Sequence, residues 1–485
     1  MKKILIGVLA LSFCSLTNAE IRSKGNFNYP VTKRMTNPLF VEFDSPMFES
    51  DSIGPLYTAD ASAHVWEDGR LYVYASHDME PAQGCDRMDR YHVFSTDDML
   101  NWTDHGEILN ASQVEWGCPQ GGFMWAPDCA YKNGKYYFYF PHPDDEAWWH
   151  TWQTGIAVSD YPDRDFKVIG FLEGAPREID PCVFIDDDGQ AYFYNGGGGR
   201  CFGGKLKENM IELDGEMVQM EGLEDFHEGT WIHKYNGKYY LSHADNHPGA
   251  DGNRLSYAVS DSPLGPWKDM GVYVFPTGCG TDHGSIVEYK GQWYAFYHNC
   301  DYSGDWGLRS VCVDPLTIKE DGSIEVVKNW GDPYKKPFIV NNEEVIVEAE
   351  NYNTGGNHRG FHKRGFDKIA NKNYRKDNIG IRKDKKIGNY VESLSKGEWM
   401  RYSSEVKTPG KYRLAVRMKN GNPDSRFHVS INGIDQTGSM APDANGEWTL
   451  VNVADIEFQP DSRYLDFRVE NGEMDIDKFI ISPIN

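Results

Sequence analysis

Three carboxylates and one histidine recur at nearly the same distance ahead of a turn glycine. The distance is nine residues for each carboxylate and eight for the histidine. Equal offsets in equivalent repeats place side chains at equivalent points around one axis, so these four are predicted to converge. Crowded carboxylates raise one another's pKa and cost energy, so such a cluster indicates acid–base chemistry or a metal site. The residues are Asp60 before Gly69, Asp180 before Gly189, Glu228 before Gly237 and His283 before Gly291.

A fourth acidic residue, Asp128, precedes its glycine by six residues and is out of phase with the others. Each carboxylate taken alone has a simpler explanation, because an aspartate ahead of a hairpin often caps the turn. The run Asp186, Asp187 and Asp188 is interpreted in that way, as a solvated turn. The recurrence, and not any single residue, therefore carries the prediction of a site.

The elements that must position these residues are short β-hairpins. Five Asn-Gly, Asp-Gly or Lys-Gly pairs are each followed by an aromatic-rich alternating run, and their glycines are 65, 55, 48 and 54 residues apart. Such turns between alternating apolar runs are strong hairpin signals. Five β-units of roughly 50 residues predict an all-β fold, a five-bladed β-propeller, with a β-sandwich of several hairpins as the alternative. The runs are LYVYAS, YYFYFP, AYFYNG, YYLSHA and WYAFYH.

Residues 35–335 resemble glycoside hydrolase family 43, whose fold is a five-bladed propeller. The resemblance is carried by the order and spacing of several short motifs, none of which is decisive alone. We assign residues 20–340 to this catalytic domain. The motifs are TADAS at 58–62, YHVFSTDDMLNWTDHG at 91–106, WAPD at 125–128, IDPCVFIDDDG at 179–189, HEGTW at 227–231 and TDHGS at 281–285.

The resemblance implies an inverting mechanism with three acidic residues. Asp60 would be the general base that activates a water molecule, and Glu228 would be the general acid that protonates the leaving oxygen. Asp180 would orient Glu228 and hold its pKa up. Inversion needs room for the water, so the carboxyls of base and acid are expected to lie ~6.5–9.5 Å apart. Asp128 has a supporting role in this pattern.

Other residues are candidates for the walls of a sugar pocket. Trp125, His77 and Arg309 are predicted to line it together with Asp128, although each could equally be a core residue. The resemblance places His283 deep in the channel, near a bound calcium or its waters. A buried histidine bonded to the backbone is the alternative, because hard cations prefer oxygen ligands.

A different β pattern begins at residue 345. Short alternating strands with turns between them predict a jelly-roll β-sandwich over residues 345–485. The EAE opening and the GEW and IDKF motifs resemble a carbohydrate-binding module of family 6. The resemblance implies a structural calcium held by Glu348, Glu350 and Asp477, which would connect the first and last strands of the sandwich.

The same resemblance implies a sugar-binding cleft in the module. Trp399 and Trp448 would face each other across a sugar ring, since stacking on an aromatic face suits a neutral saccharide. Asp475 stands where the family often has an asparagine that hydrogen-bonds the sugar, and this departure leaves the type of ligand open. Core packing is the alternative for both tryptophans.

The first residues of the chain indicate where the protein is located, and its composition indicates which partners it can have. Residues 1–19 have a basic start, a short apolar run and small residues before a cleavage site, which predicts a signal peptide and a secreted or periplasmic protein. No later apolar run is long enough to span a membrane. The net charge of −24 argues against nucleic acid as a partner. Eight cysteines follow the leader without a CxxC spacing, so zinc is not expected and their pairing stays open.

These observations together predict a secreted hydrolase that releases single sugars from the non-reducing end of a plant or algal polysaccharide. The sugar would be α-L-arabinofuranosyl or β-D-xylosyl, with a slight preference for arabinofuranosyl on a decorated chain. One alternative is an endo-acting arabinanase or xylanase. The other is a non-catalytic polysaccharide-binding protein, against which the retention of all three carboxylates argues.

Overall fold

The computed structural model describes residues 29–32, 37–40, 56–80, 85–356, 359–364, 374–375, 377, 379–443 and 445–484. The predicted signal peptide at residues 1–19 lies outside these ranges. Within them, the chain consists of β-strands and short 3₁₀ turns and contains no α-helix, which confirms the all-β prediction. No helix in these ranges is long and apolar enough to cross a membrane.

In the described part of the chain, strands β1 to β20 form five antiparallel sheets, which are the five blades of the predicted propeller. Each sheet is built from strands that follow one another in the sequence, except that β1 joins the outer edge of the first sheet beside β5. The strands of the first two sheets are β1 Tyr29–Thr32, β2 Tyr57–Val65, β3 Leu71–Asp78, β4 Arg90–Thr96 and β5 Asn101–Asn110, then β6 Asp128–Lys132, β7 Lys135–Pro143, β8 Trp152–Ser159 and β9 Lys167–Phe171.

The other three sheets follow the same order. Their strands are β10 Cys182–Ile185, β11 Ala191–Gly197, β12 Arg200–Lys205 and β13 Val218–Gln219, then β14 Phe226–Tyr235, β15 Lys238–Asp245, β16 Arg254–Ser260 and β17 Lys268–Val274, then β18 Ser285–Tyr289, β19 Gln292–Asn299 and β20 Ser310–Leu316.

Each predicted turn glycine lies between two consecutive strands of one sheet. The strand before the glycine is called the first strand of its blade, and these strands are β2, β6, β10, β14 and β18. Gly69 and Gly237 have φ values of 77° and 74°, a backbone region that is costly for residues with a Cβ. The offset counted back from each glycine therefore measures a position along the first strand of each sheet. These first strands contact one another, because Ser285 on β18 accepts a hydrogen bond from the backbone of Ala63 on β2.

Asp128, the first residue of β6, links three sheets. Its Oδ1 accepts hydrogen bonds from Ser62 Oγ and His64 Nε2 on β2, both at 2.7 Å. Its Oδ2 accepts the backbone N–H of Val183 on β10 at 2.6 Å. The side chain is 1 % exposed. Asp128 thus fixes the spacing of strands β2, β6 and β10, which belong to three neighbouring blades.

The N-terminal segment 37–40 completes the fifth sheet. The backbone N–H of Leu39 donates to the carbonyl of Val311 at 2.6 Å, and Asn37 accepts from the backbone of Val313. Asn37 also donates to Asp314 at 2.7 Å. The three-stranded last sheet is therefore covered by residues from the other end of the domain, which closes the ring.

Strands β21 to β32 form a sandwich of two six-stranded sheets around one continuous apolar core. In the first sheet the order is β21 Phe338–Val340, β26 Trp399–Val406, β31 Tyr464–Asn471, β28 Arg426–Ile431 and β29 Ile434–Asp435, with β23 Phe361–His362 also on β26. In the second it is β24 Ile381–Asp384, β25 Gly388–Ser395, β32 Glu473–Pro483, β27 Gly410–Lys419 and β30 Trp448–Phe458, with β22 Val345–Glu348 on β32.

The sandwich docks directly on the propeller. The turn that follows β28 exchanges backbone hydrogen bonds with residues 249–251, where Asp251 donates to Gly433 and Asp435 donates to Gly249, each at 2.9 Å. Arg468 forms an ion pair with Asp251 at 3.3 Å. A second ion pair joins Arg359 to Asp314 at 2.8 Å, so the contact includes the blade that closes the ring.

Substituting Asp128→Asn is expected to destabilise the protein. The amide cannot accept from all three donors at once, and a buried donor left unpaired costs about 1–3 kcal/mol. We expect a lower midpoint in denaturant unfolding than for the wild type. Asp188→Asn, in an exposed turn, is the control and should change the free energy of unfolding by less than about 0.5 kcal/mol. Equal midpoints for both variants would contradict the linking role of Asp128.

Candidate active site

One cavity of about 290 Å³ brings together most of the residues predicted from the repeat. Asp60, Asp180, Glu228 and His283 all line it, as the equal offsets require. Trp125 and Arg309 line it as well. The remaining lining residues are Asp78, Met88, Ala126, Ile179, His227, Thr281, Trp306 and Gly307.

Asp60 occupies an irregularity in β2. The pairing of β2 with β3 shifts register between Ala59 and Ser62, and Asp60 has a φ of 57°. A bulge re-aims a side chain that regular alternation would place elsewhere, and a left-handed backbone is costly for a residue other than glycine. The strand is therefore locally distorted where the carboxylate enters the cavity.

The surroundings of Asp60 favour its ionised form. Arg309 Nη1 donates to Oδ1 at 3.0 Å, and Ser76 Oγ donates a short hydrogen bond to Oδ2. Burial raises the pKa of Asp60, but the charge of Arg309 and the hydrogen bond from Ser76 act against it, and the net shift of the pKa is downward. Asp60 is therefore ready to accept a proton.

Arg309 is shared between two carboxylates. Its Nε and Nη2 form a fork with Asp78, at 3.0 and 2.9 Å, while Nη1 reaches Asp60. The guanidinium is buried, and its backbone N–H also donates to Asp78 at 2.6 Å. Asp78 thus holds Arg309 in place from two sides, which directs the third nitrogen at Asp60.

His298 on β19 supports Asp60 from behind. The backbone N–H of Asp60 donates to His298 Nδ1 at 3.2 Å, so Nε2 carries the proton and donates to the carbonyl of Thr281 at 2.9 Å. Burial lowers the pKa of His298 to about 3. The imidazole is therefore neutral, with its tautomer fixed by these two contacts.

Asp180, like Asp60, is an acidic residue of the cavity with a left-handed backbone, at φ 53°. Its Oδ2 accepts the backbone N–H of Gly229 at 2.7 Å, which ties it to the residue that follows Glu228. Burial, and then the charges of Glu228 and Asp60, raise the pKa of Asp180 well above its ordinary value. Asp180 and Glu228 therefore titrate as a pair.

Glu228 lies on β14 between two register shifts in its pairing with β15. Its side chain is 16 % exposed, and His227 Nδ1 lies 3.9 Å from Oε1. Burial raises the pKa of Glu228, and the charge of Asp60 raises it further, while His227 and Arg309 act in the opposite direction without cancelling the shift. Over a range of pH, Glu228 thus tends to keep its proton while Asp60 is ionised.

His283 sits beside this pair as a neutral ring. Burial lowers its pKa, and its Nδ1 lies 3.8 Å from Asp180 Oδ2 without a hydrogen-bond partner. Among the described residues, no group of three or more His, Cys, Asp or Glu side chains is arranged to hold a metal ion. The calcium expected beside His283 therefore gains no support from the geometry.

Two residues predicted for the sugar pocket do not line the cavity. His77 packs against His92, with ring centroids 4.9 Å apart, while its neighbour Asp78 faces Arg309. Successive strand residues point to opposite faces, so a prediction one residue off selects the wrong face. Asp128 is likewise absent from the lining because its oxygens are used between the blades.

The structure adds residues that the sequence patterns did not indicate. Asp78, Thr281 and His227 are polar neighbours of predicted residues, and their adjacency in SHD, TDHGS and HEGTW was the available signal. Trp306 is different, since it lies in an irregular loop after β19 and is 57 % exposed at the cavity. No repeat or motif identified it.

Trp399 does not form a cleft in the sandwich. It is 2 % exposed, and the guanidinium groups of Arg401 and Arg468 pack on its ring at 4.7 and 5.8 Å. It lines an internal cavity between the sandwich and the propeller. Residues of the sandwich therefore cover the ring on a side that borders the propeller, and the prediction of a sugar stacked on Trp399 is wrong.

Trp448 belongs to the other sheet of the sandwich. Its ring packs edge-on against Tyr390 at 5.1 Å and lies 6.0 Å from the Arg417 guanidinium. Cross-strand pairing aligns Trp448 with Lys419 and Lys419 with Asp475, so these three form one row. Trp448 and Asp475 are therefore close to each other but share no surface with Trp399.

The three carboxylates predicted to hold calcium lie near one another. The charges of Glu348 and Asp477 both contribute, after burial, to raising the pKa of Glu350 to about 7. Glu350 Oε2 and Asp477 Oδ1 are buried without a hydrogen-bond partner. Asp477 Oδ2 has a cation beside it, Arg417 Nη1 at 3.1 Å. Two orphaned buried oxygens fit a hard cation, although the three side chains are not arranged around one point.

Comparison with protein families separates the two domains. The sequence model of glycosyl hydrolases family 43 matches residues 51–324, more than half of the chain. The model of carbohydrate binding module family 35 matches residues 375–481, so the prediction of family 6 for the sandwich is wrong. The EAE motif at 348–350 lies outside the matched residues, and the IDKF motif at 476–479 lies within them and did not discriminate between the two module families.

Individual relatives match over the propeller. A xylosidase/arabinosidase of Humicola insolens is 37 % identical over 329 residues, which are 56 % of this chain and 97 % of the relative. A xylosidase/arabinosidase of Bacteroides ovatus is 35 % identical over 323 residues, 56 % of this chain and 95 % of the relative.

Two solved structures align with this domain. The GH43_1 enzyme of Xanthomonas citri in complex with xylotriose has a TM-score of 0.51 at 35 % identity, and covers 56 % of this chain and 90 % of its own. A β-xylosidase/α-arabinofuranosidase from a compost metagenome, also with xylotriose, has a TM-score of 0.51 at 34 % identity, with coverage of 56 % and 94 %. From the matched family model, the relatives and the converging carboxylates, we conclude that this chain belongs to family 43 of the glycosyl hydrolases.

Proposed function

We propose that this protein is an inverting, exo-acting glycoside hydrolase that releases α-L-arabinofuranosyl or β-D-xylosyl residues from the non-reducing end of a plant or algal polysaccharide. The observation that carries the proposal is that two carboxyls in one cavity have pKa values shifted in opposite directions. The surroundings lower the pKa of Asp60 and raise that of Glu228. One acid and one base at the same pH are what glycoside hydrolysis requires.

The reaction assigns one proton transfer to each carboxyl. Asp60 removes a proton from a water molecule as its oxygen attacks the anomeric carbon. Glu228 gives its proton to the glycosidic oxygen as the bond to that carbon breaks. The Asp60 carboxylate is held by Arg309 and Ser76, so it is oriented before the water arrives. After product release, Asp60 loses and Glu228 regains a proton through solvent.

Asp180 is the positioning residue of this scheme. Its bond to the Gly229 N–H fixes the backbone next to Glu228. Because the pair sits in a buried cavity with Asp60, two further negative charges are disfavoured, and a proton is retained between Asp180 and Glu228. The pair therefore supplies the acid at a pH where Asp60 is ionised.

The substrate class rests on the relatives and on the walls of the cavity. Relatives named for xylosidase and arabinosidase activity match along nearly their whole length, so a pentose is the best-supported sugar. Trp125 packs with Trp148 and Trp152 in an aromatic wall beside the cavity. Such a wall favours a pocket for a terminal sugar over an open groove, which would suit an endo-acting enzyme.

The sandwich is proposed as a polysaccharide-binding module. With Trp399 covered, the row of Trp448, Lys419 and Asp475 beside Tyr390 is the aromatic and polar surface that remains from the predicted cleft. Calcium, held by Glu350, Asp477 and Glu348, would neutralise the crowded carboxylates between the first and last strands. We further propose that the protein is exported by the predicted signal peptide.

Substituting Glu228→Gln tests the function. Loss of a general acid costs about 10²–10⁴-fold in rate, so release of sugar should fall by at least about 10²-fold. The assay separates the sugars released from arabinoxylan, arabinan and xylo-oligosaccharides. The control is Glu216→Gln, an exposed position away from the cavity.

Each outcome of this assay has a distinct meaning. Free arabinose or xylose alone supports exo action and names the sugar, whereas a ladder of oligosaccharides identifies an endo-acting enzyme. No release by the wild type would favour a binding protein. Unchanged turnover in the Glu228 variant would overturn its assignment as the acid.

Substituting Arg309→Lys should move the acid limb of the pH profile of kcat/KM to higher pH. Lysine keeps the charge but cannot form the fork to Asp78 and reach Asp60 at once. The pKa of Asp60 then rises, and the base is protonated at a pH where it is ionised in the wild type. The matched control is Arg254→Lys, because Arg254 forms a similar fork with the buried Asp245 outside the cavity. A limb that stays in place, or moves equally in both variants, contradicts the role given to Arg309.

Calcium should stabilise the sandwich. A ligand present at 100 times its Kd adds about 2.7 kcal/mol to the stability of the form that binds it. We expect the melting temperature to rise with CaCl₂ and fall with chelator, and Glu350→Gln should abolish this response. Glu343→Gln, on the exposed surface nearby, should keep it. A wild-type protein that melts at the same temperature with calcium and with chelator would refute the site.

A further inference from the structure

Two cysteines meet at the wall of the active-site cavity. Cys300 directly follows β19, and its Sγ donates to the carbonyl of Gly278 at 3.2 Å, beside Cys279. Burial, and then the neighbouring Cys300 thiol, raise the pKa of Cys279, so the two thiols lie near each other. Both residues are buried, with exposed fractions of 1 % and 8 %. The structure describes both as free thiols.

The two cysteines belong to different segments of the cavity wall. Cys279 lies two residues before Thr281, which contacts Arg309, and four before His283. Cys300 begins the loop that carries Trp306 and ends at Arg309. A covalent link between them would therefore join the two segments whose contacts place Arg309 against Asp60.

We propose that Cys279 and Cys300 form a disulfide when the protein folds outside the cytoplasm. Adjacent thiols in a loop-rich region of an exported protein are suited to such a bond. The inference concerns covalent structure and stability, and it does not depend on the substrate proposed above.

The reaction is a thiol–disulfide exchange with a disulfide oxidant of the export compartment. One cysteine thiolate attacks the oxidant and forms a mixed disulfide, and the second thiolate then displaces the oxidant as a dithiol. The protein loses two hydrogens, as two protons and two electrons, and the oxidant gains both electrons. Burial raises the pKa of the Cys279 thiol, so the exchange belongs to folding, before the loops close over the pair.

The bond would act mainly on stability. It closes a loop that contains the hairpin of β18 and β19, and closing such a loop restricts the unfolded chain. In the folded protein it would prevent the Trp306 loop from separating from the segment that carries Thr281 and His283. Arg309, at the end of that loop, would then keep its position when other contacts loosen.

The position of Lys290 makes the proposal directly testable. Trypsin cleaves after Lys268, Lys290 and Arg309, so Cys279 and Cys300 fall in separate peptides, residues 269–290 and 291–309. The full chain is produced with its leader and exported, its free thiols are alkylated under denaturing conditions, and the digest is analysed without reductant. The expected product is the linked pair of peptides, which separates on reduction.

Cys312 provides the internal control. It lies in the next tryptic peptide, residues 310–319, and should be recovered fully alkylated. Recovery of peptides 269–290 and 291–309 as separate, alkylated species would overturn the proposal, as would a link from either cysteine to a different one.

A stability measurement gives a second test. Dithiothreitol should lower the melting temperature of the wild type by several degrees, and the double variant Cys279→Ser, Cys300→Ser should melt lower and not respond. Cys312→Ser should keep the response. If the double variant does not fold, the peptide map and the response of the wild type to dithiothreitol test the proposal. A wild-type melting temperature that does not change with dithiothreitol would contradict the stabilising role.

Discussion

The buried guanidinium of Arg309 determines how charge is distributed in the active-site cavity. Four carboxyl groups line this cavity, and they cannot all be ionised in a buried space that contains one permanent cation. Arg309 forms ion pairs with Asp60 and Asp78, whereas burial raises the pKa values of Asp180 and Glu228. Contact with Arg309 does not decide the difference alone, because burial raises the pKa of Asp78 despite its fork, and the low pKa of Asp60 also depends on the hydrogen bond from Ser76.

Backbone irregularities make that arrangement possible. Asp60 and Asp180 both adopt left-handed backbone conformations, and Glu228 lies between two register shifts. Each distortion is unfavourable in isolation and costs of order 1–3 kcal/mol for a strained backbone. The surrounding sheets hold them in place, through bonds such as that from Gly229 to Asp180 and through the links that Asp128 makes between blades. Regular strands would direct these carboxyls elsewhere.

The sequence was most informative where structure repeats. Hairpins of equal length made the offset from each glycine a reliable measure, which is why four residues from four blades were found without an alignment. The contact between Arg309 and Asp60 spans 249 residues, so no local pattern could reveal it. The prediction for His77 was one residue away from Asp78, which lines the cavity, and successive residues of a strand point to opposite faces. The prediction for Trp399 was wrong because Arg401 on its own strand, and Arg468 and His362 on neighbouring strands, cover its ring.

The direct docking of the sandwich changes how a binding module can assist catalysis. A module on a flexible linker searches a volume and raises the effective concentration of enzyme near a polymer over many orientations. Here backbone pairing at residues 249–251 and the Arg468–Asp251 ion pair remove that freedom. Any polysaccharide held on the row containing Trp448 is presented to the cavity at one angle and one distance. The protein would thus select polysaccharide chains whose branches or ends lie at a fixed distance from the segment that the module binds.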